Sequence, residues 1–295
     1  AGAKLEPATL EDAIRGAGLH VALDCVRGAG GTTVPALLER LGVRMTGLHL
    51  EPDGGISREP EPIPEHLGEL GALVRASGAH IGMDVDPDAD RLALVDETGT
   101  PVGEDYTLAL AIRAVLAAQP NGGAGQVVVA NLSTSLVVED AARSCGARFL
   151  RAPVGEANVA RMIRDEGAVI GGEGNGGVIL PALHVGRDAP AGVALILQHL
   201  ALTGRSLSQL VAESPRYRIV KAKAPRGADL AQAYAGLRAR FPDAMADERD
   251  GLRLGWPDRW VHLRPSGTEP IVRMIAEAPD LEAAEALVRA CRDLL

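Results

Sequence analysis

Met83-Asp84-Val85-Asp86-Pro87-Asp88-Ala89-Asp90-Arg91 is the stretch that decides how this chain is read. Four carboxylates fall on alternate positions, and an arginine follows. In extended backbone, alternate side chains point to one side, so these carboxylates repel one another unless a cation sits among them. Hard divalent cations take oxygen ligands, and Mg²⁺ commonly binds a few carboxylates with water or a substrate phosphate oxygen. The stretch therefore reads as a Mg²⁺ loop that works on a phosphate. Pro87 stiffens it, and Ala89 leaves room at the metal. Two rival readings stand beside this one. An EF-hand counted from Asp86 has Asp at positions 1, 3 and 5 and Glu97 at position 12, but Arg91 stands where the sharp turn needs glycine. A solvated acidic turn is the other, although solubility alone does not require alternating aspartates between two apolar runs.

Outward from the cluster, Ala79 to Met83 reads as a strand that delivers it at a C-terminal end, where ligand sites of α/β sheets lie. Leu92 to Asp96 reads as the strand that leaves it. Upstream, residues 1–18 suggest a helix, and His20-Val21-Ala22-Leu23-Asp24 a buried strand. Arg27-Gly28-Ala29-Gly30-Gly31-Thr32-Thr33 then leads to a helix from Val34 to Leu41. Those glycines either cradle a phosphate at the helix N-terminus or allow close helix–strand packing. The dinucleotide spacing and P-loop lysine are lacking, which favours packing. A strand from Val43 to Leu50, a rigid loop through Pro60, Pro62 and Pro64 and a helix at about 65–77 complete the first series.

A second βα series starts near Asp105, taken as a helix cap. It continues with strands at Val127–Ala130 and Phe149–Ala152 and a helix from Thr134 to Cys145, with Ser133 as its cap. Gly171-Gly172-Glu173-Gly174-Asn175-Gly176-Gly177 lies between two short apolar strands. Such a loop suits close backbone approach to a polar ligand, leaving Glu173 and Asn175 exposed to bind vicinal hydroxyls. A flexible linker is the alternative. A helix over about 190–203 and another from Ser206 follow. After Pro215 come a strand at Tyr217–Ala222, a helix at Leu230–Phe241 and a hairpin of Gly251–Leu254 with Trp260–Leu263. Arg264-Pro265-Ser266-Gly267-Thr268-Glu269-Pro270 then leads to a strand carrying Arg273. Guanidinium forks, hydroxyls and free backbone N–H groups are what a phosphate dianion wants. The pattern predicts two mixed-sheet α/β/α domains, 1–103 and 104–214, then a smaller α+β C-terminal domain, 215–295.

Bulk composition narrows the function. The chain has 295 residues, 46% of them hydrophobic but only 2% aromatic, and carries a net charge of −9. Base stacking and bulk nucleic-acid binding are not expected of it. The three cysteines show no metal or redox spacing. No apolar run reaches membrane-spanning length, and a reducing cytoplasm fits.

Three motifs in this order resemble the α-D-phosphohexomutase family of phosphoglucomutases, phosphomannomutases and phosphoglucosamine mutases. Asp86-Pro87-Asp88-Ala89-Asp90-Arg91 is similar to the family's metal loop, Gly171 to Gly177 to its sugar-recognition loop, and Arg264 to Pro270 to its phosphate loop. Pro60-Glu61-Pro62 with Glu65 fits a further stretch. The resemblance implies Mg²⁺ on Asp86, Asp88 and Asp90, with Asp84 outside the set and Arg91 adding positive charge. It implies that Glu173 and Asn175 bind sugar hydroxyls and that Arg264, Ser266, Gly267, Thr268 and Arg273 hold the non-reacting phosphate. The implied reaction interconverts hexose 1- and 6-phosphates through a phosphoserine and a bisphosphate intermediate.

Two departures stand out. None of the nine serines has the family's nucleophile context, so the chain resembles domains two to four, and the serine-bearing domain is expected in cis or in trans. On its own the chain is expected to be inactive. Gly177 stands where many relatives have a histidine proposed as an acid/base group, and His184 is the candidate substitute. The implied partners are a small-molecule hexose phosphate and the first domain, with neither nucleic acid nor membrane; a homodimer is left open. The Asn-Gly-Gly loop leans towards glucosamine or mannose phosphates. A non-catalytic sugar-phosphate-binding protein and a Ca²⁺-binding structural module are the competing functions.

Overall fold

The computed structural model describes residues 7–226, 229–267 and 269–295. They fall into two units. Unit 1 runs to Asn131 and resumes over Val138–Ser214; unit 2 comprises Leu132–Val137 and Pro215–Leu295.

Unit 1 opens with α1 (Pro7–Gly16) and β1 (His20–Asp24), a strand buried along its whole length. Val21 and Leu23 enter one core, and Ala22 enters another on the opposite face, as period-2 side chains between two helical layers must. Next, α2 (Gly30–Arg40) begins inside the glycine-rich turn and not at Val34. A Cβ on Gly28 would lie 2.4 Å from the Pro87 carbonyl oxygen, and Ala29 N–H donates to that oxygen at 2.8 Å. The turn is thus pressed against the acidic loop, so its geometry supports the packing reading. β2 (Arg44–Leu48), a 3-10 turn (Pro64–His66), α3 (Gly68–Ser77), β3 (Ile81–Val85) and β4 (Leu92–Val95) follow. The sheet order is β2-β1-β3-β4, with β4 alone antiparallel to its neighbour.

The second series repeats this plan. α4 (Glu104–Ala117) has Gly103, not Asp105, at its N-cap position; Asp105 is buried in the first turn. β5 (Val127–Asn131), α5 (Leu136–Ser144), β6 (Arg148–Ala152), α6 (Glu156–Glu166), β7 (Ile170–Glu173) and β8 (Gly177–Ile179) build a sheet of order β6-β5-β7-β8, again with only the last pair antiparallel. α7 (Ala189–Thr203) is capped by Asp188, and α8 (Leu207–Ala212) by a reciprocal Ser206–Gln209 box. One core joins β1, β3 and β4 to Leu110 of α4 and to Val193, Ile196, Leu197 and Leu200 of α7. The acidic loop and the glycine loop therefore occupy equivalent places, each closing the antiparallel hairpin of its own sheet.

Unit 2 holds β9 (Arg218–Pro225), α9 (Leu230–Arg240), β10 (Met245–Asp247), β11 (Leu252–Gly255), β12 (Trp260–Pro265), β13 (Ile271–Ala278) and α10 (Leu281–Arg292). The sheet is antiparallel, in the order β10-β11-β12-β13-β9. Val272, Met274 and Ala276 pack with α9 and α10. From the opposite face, His262 Nδ1 pairs with Ser133 Oγ at 2.8 Å, and buried Glu277 takes Leu136 N–H at 2.7 Å and the Ser135 hydroxyl. Ser133 is therefore not at the helix cap; Ser135 precedes α5, and its Oγ accepts from Val137 N–H at 3.1 Å. Two mixed α/β sheets and a separate antiparallel α+β unit match the expected architecture. All three cysteines are free. No helix among the described residues is long and apolar enough to cross a membrane.

Candidate active site

Beyond Val85 the backbone leaves the extended conformation. Ala89 N–H donates to the Asp86 carbonyl at 3.0 Å, and Ala89 itself is left-handed at φ 61°. The expected extended ladder of carboxylates is thus replaced by a turn, because Asp86 gathers the loop's own donors. Its Oδ1 accepts from Asp90 N–H at 3.0 Å and Arg91 N–H at 2.9 Å, and its Oδ2 from Arg91 Nε at 2.6 Å. The turn brings carboxylate oxygens of Asp86, Asp88 and Asp90 within 4.8 Å of one another. Asp86 is buried, Asp90 half-buried and Asp88 exposed. Asp90 Oδ1 is buried without a hydrogen-bond partner among the described residues. Burial, then the neighbouring Asp86 charge, pushes the Asp90 carboxyl up to about 6. Burial alone would lower Arg91, but the Asp86 hydrogen bond and the acidic neighbours hold it above its ordinary value.

Hard oxygen donors, one of them buried and unsatisfied, suit a hard divalent cation, and Asp86, Asp88 and Asp90 would hold it. Asp84 is committed elsewhere. It pairs with Arg58, which also lies 3.3 Å from buried Asp24. Burial pushes the Asp84 carboxyl up to about 7, against the pull of Arg58. Sequence reasoning passed over Arg58, whose partners lie on two distant strands.

Glu173 ends β7 and is buried, contrary to the exposed carboxylate expected from its glycine-rich setting. Its strand lies between two others, so neighbouring loops cover it. Its Oε1 accepts from Asn131 Nδ2 at 2.8 Å and Gly155 N–H at 3.1 Å, and its Oε2 from Arg187 at 3.1 Å. Asn175 is half-buried, and its Oδ1 accepts from Gly177 N–H at 3.2 Å. The two hairpins meet directly. Leu92 N–H donates to the Gly176 carbonyl at 3.0 Å, and Arg91 bridges Gly177. Gly176 has φ +89°, and a Cβ there would lie 2.5 Å from the Leu92 carbonyl oxygen. Asp86, Asp88, Asp90 and Arg91 thus share one neighbourhood with Glu173 and Asn175. Arg187, which sequence reasoning did not single out, ties them further through ion pairs with Asp90 and Glu173. No local spacing could reveal a partner 97 residues away. His184 is seated on Asp188, Nε2 to Oδ2 at 2.7 Å, and is 53% exposed.

In unit 2, Arg264 on β12 is directly opposite Arg273 on β13, and Arg273 is opposite Lys223 on β9. Directly opposed residues share a face, and like charges there repel. The row is balanced in part by carboxylates: Arg264 Nε lies 3.0 Å from Asp250 and Arg273 2.6 Å from Glu269. Ser266 is buried, and its N–H donates to the Ile271 carbonyl at 2.9 Å. Gly267 is exposed with open space around it. Thr268 lies outside the described residues. Lys223 escaped the sequence reading because its place beside Arg273 comes from strand pairing alone.

Comparison with known proteins supplies the family. Residues 4–99 match the phosphoglucomutase/phosphomannomutase alpha/beta/alpha domain II, residues 103–217 its alpha/beta/alpha domain III and residues 219–294 its C-terminal domain. The chain belongs to this phosphohexomutase family. It is 38% identical over 281 residues to the "Probable phosphoglucosamine mutase" of Methanopyrus kandleri, covering 94% of this chain and 61% of that protein. It is 38% identical over 267 residues to the phosphoglucomutase/phosphomannomutase of Thermococcus kodakarensis, covering 90% of this chain and 58% of that one. Among solved structures, a phosphoglucomutase/phosphomannomutase family protein from Burkholderia thailandensis superposes with a TM-score of 0.82 at 26% identity, over 98% of this chain and 63% of that one. The chain thus spans about three fifths of the length of the curated relatives it matches.

Proposed function

We propose that this chain supplies the metal-, sugar- and phosphate-binding parts of a phosphohexomutase, in three modules at 1–103, 104–214 and 215–295. The observation that carries the reading is the interlocking of the two hairpins, which gathers three carboxylates, Arg91, Glu173 and Asn175 in one place. With Glu173, four carboxylates face the two guanidinium groups of Arg91 and Arg187 and leave a local negative excess, which a divalent cation neutralises. Mg²⁺ on Asp86, Asp88 and Asp90 would screen charge on a transferring phosphoryl group. Glu173 and Asn175 orient the sugar's hydroxyls, with glucosamine, mannose and glucose phosphates as the substrate class. Arg264, Ser266, Gly267, Thr268 and Arg273 anchor the phosphate that does not react.

In the step itself, the P–O bond of a seryl phosphate breaks as a sugar hydroxyl oxygen bonds the phosphorus; the hydroxyl proton passes to a base, and the departing seryl oxygen takes up a proton to become a hydroxyl. His184, held by Asp188, is the candidate base on this chain. The serine would come from residues outside these 295, in the same protein or another. Ser133 and Ser135 are engaged with His262 and Glu277, and Ser206 and Ser208 with each other and Glu97. The commitment of these four serines favours one alternative, a sugar-phosphate-binding role without catalysis.

The test is calorimetric titration with glucosamine, mannose and glucose 6-phosphates at saturating Mg²⁺. Binding that is lost in Asp88→Asn and in Arg273→Met supports the reading. Equal affinity in wild type and both variants overturns it. Phosphate exchange on adding a relative's serine-bearing domain separates the mutase from the binding-only alternative.

A further inference from the structure

We infer that Arg187 is a positioning residue that couples the metal loop to the sugar loop, and that position 177 is glycine to give it passage. The inference rests on the metal-site reading above. The starting point of the Arg187 side chain is fixed. Its N–H donates to Glu156 Oε1 at 2.8 Å, its backbone bridges Ile179, and Asp188 after it caps α7. From there the chain runs over Gly177: a Cβ at that position would lie 2.3 Å from Arg187 Cδ and 3.1 Å from its Cγ. No larger residue at 177 is compatible with this path.

The guanidinium is then shared among three carboxylates. It pairs with Asp90 of the metal loop, sits 3.1 Å from Glu173 of the sugar loop and 3.5 Å from Glu156, and is only 18% exposed. Glu173 in turn holds the sugar hairpin to β5 through Asn131 and to the start of α6 through Gly155. One side chain thus touches an implied metal ligand and the carboxylate at the root of the sugar loop.

Like charges make this contact conditional. A divalent cation on Asp90 and the Arg187 guanidinium repel each other and compete for one carboxylate. Metal loading therefore drives Arg187 off Asp90 towards Glu173 and Glu156, where its fork orders the loop that binds the sugar's hydroxyls. Metal and sugar phosphate then bind cooperatively, with Arg187 as the link.

The experiment measures Mn²⁺ affinity by electron paramagnetic resonance and glucosamine 6-phosphate affinity by calorimetry, each with and without the other ligand. Arg187→Met removes the competing charge, so Mn²⁺ should bind about tenfold tighter. Glucosamine 6-phosphate should bind about tenfold more weakly, and its dependence on Mn²⁺ should shrink. Arg187→Lys should restore the competition with Mn²⁺ but not the full sugar-phosphate affinity. Gly177→Ala, which displaces Arg187 without removing it, should move both affinities in the same directions as Arg187→Met. A merely structural role would weaken both ligands together, so opposite signs are diagnostic. Weaker Mn²⁺ binding in Arg187→Met, or both affinities within about twofold of wild type, overturns the inference while leaving the metal site standing. If the wild type binds glucosamine 6-phosphate but no Mn²⁺, the metal-site reading fails and this inference falls with it.

Discussion

Replacing Gly176 by alanine tests whether the two hairpins of unit 1 depend on each other. Gly176 has φ +89°, and the new Cβ would lie 2.5 Å from the Leu92 carbonyl oxygen. An ordinary contact is about 3.4 Å or longer, so one backbone must move by most of an ångström, with no flexible side chain to absorb it. The left-handed conformation costs an alanine about 1–2 kcal/mol. Separating the strands enough to relieve the overlap also lengthens the 3.0 Å bond from Leu92 N–H to the Gly176 carbonyl, worth about 1 kcal/mol. Together these give a loss of about 2–3 kcal/mol. For a folding unit of about 200 residues, that lowers the melting midpoint by roughly 4–12 °C. Differential scanning calorimetry reads the shift, with Gly68→Ala as control, since a Cβ at Gly68 meets nothing within 4 Å. Divalent-metal affinity should fall in the same variant, because Arg91 bridges the neighbouring Gly177. A Gly176→Ala protein that melts with the control and binds metal normally would refute the idea that the hairpins hold each other in register.

The metal loop separates ligation from folding. Asp86→Asn should abolish Mn²⁺ binding and destabilise the chain by about 1–3 kcal/mol, because buried Asp86 organises the turn; exposed Asp88→Asn should weaken Mn²⁺ with no change in melting. In unit 2, Arg273→Met should weaken hexose-phosphate binding by about 10–100-fold in calorimetry, and Lys223→Ala by several-fold, since Lys223 adjoins Arg273 across the strands. The buried His262 imidazole is held down to about 4, chiefly by burial. The unfolded chain therefore takes up its proton near its ordinary value of 6.5 while the folded one does not, so stability is full above that pH and falls as pH drops towards about 4. Denaturant titrations should show a loss of stability across that window that is smaller by about 3 kcal/mol in His262→Gln.

What could be read from the sequence was chemistry concentrated in contiguous residues. The alternating aspartates, the glycine loop with Glu173 and Asn175, and the Arg264–Pro270 turn each carry their composition within a few positions. The burial of β1 was equally legible, because an unbroken apolar run signals a strand covered on both faces. Features built by distant pairing were not. Arg58 reaches Asp24 and Asp84, Arg187 reaches Asp90, and Lys223 lies beside Arg273, all through sheet and hairpin contacts with no local spacing. The duplicated sheet order escaped notice because topology, not residue identity, repeats. Local reasoning also erred where backbone donors outcompete regular geometry. Asp86 turns its loop back on itself, and Glu173, expected to be exposed, is drawn inward by Asn131, Gly155 and Arg187. β10, three residues long and largely exposed, offers no alternation to detect.

The central claim is that Asp86, Asp88 and Asp90 hold a divalent cation beside the transferring phosphate of a bound hexose bisphosphate. Phosphorus NMR of glucose 1,6-bisphosphate, with the chain present and Mn²⁺ below the chain's concentration, tests this most directly. The account predicts strong paramagnetic broadening of one of its two phosphate lines that depends on the chain and vanishes in Asp88→Asn. Broadening no greater with the wild-type chain than with Asp88→Asn, under conditions where the sugar phosphate is bound, would contradict it.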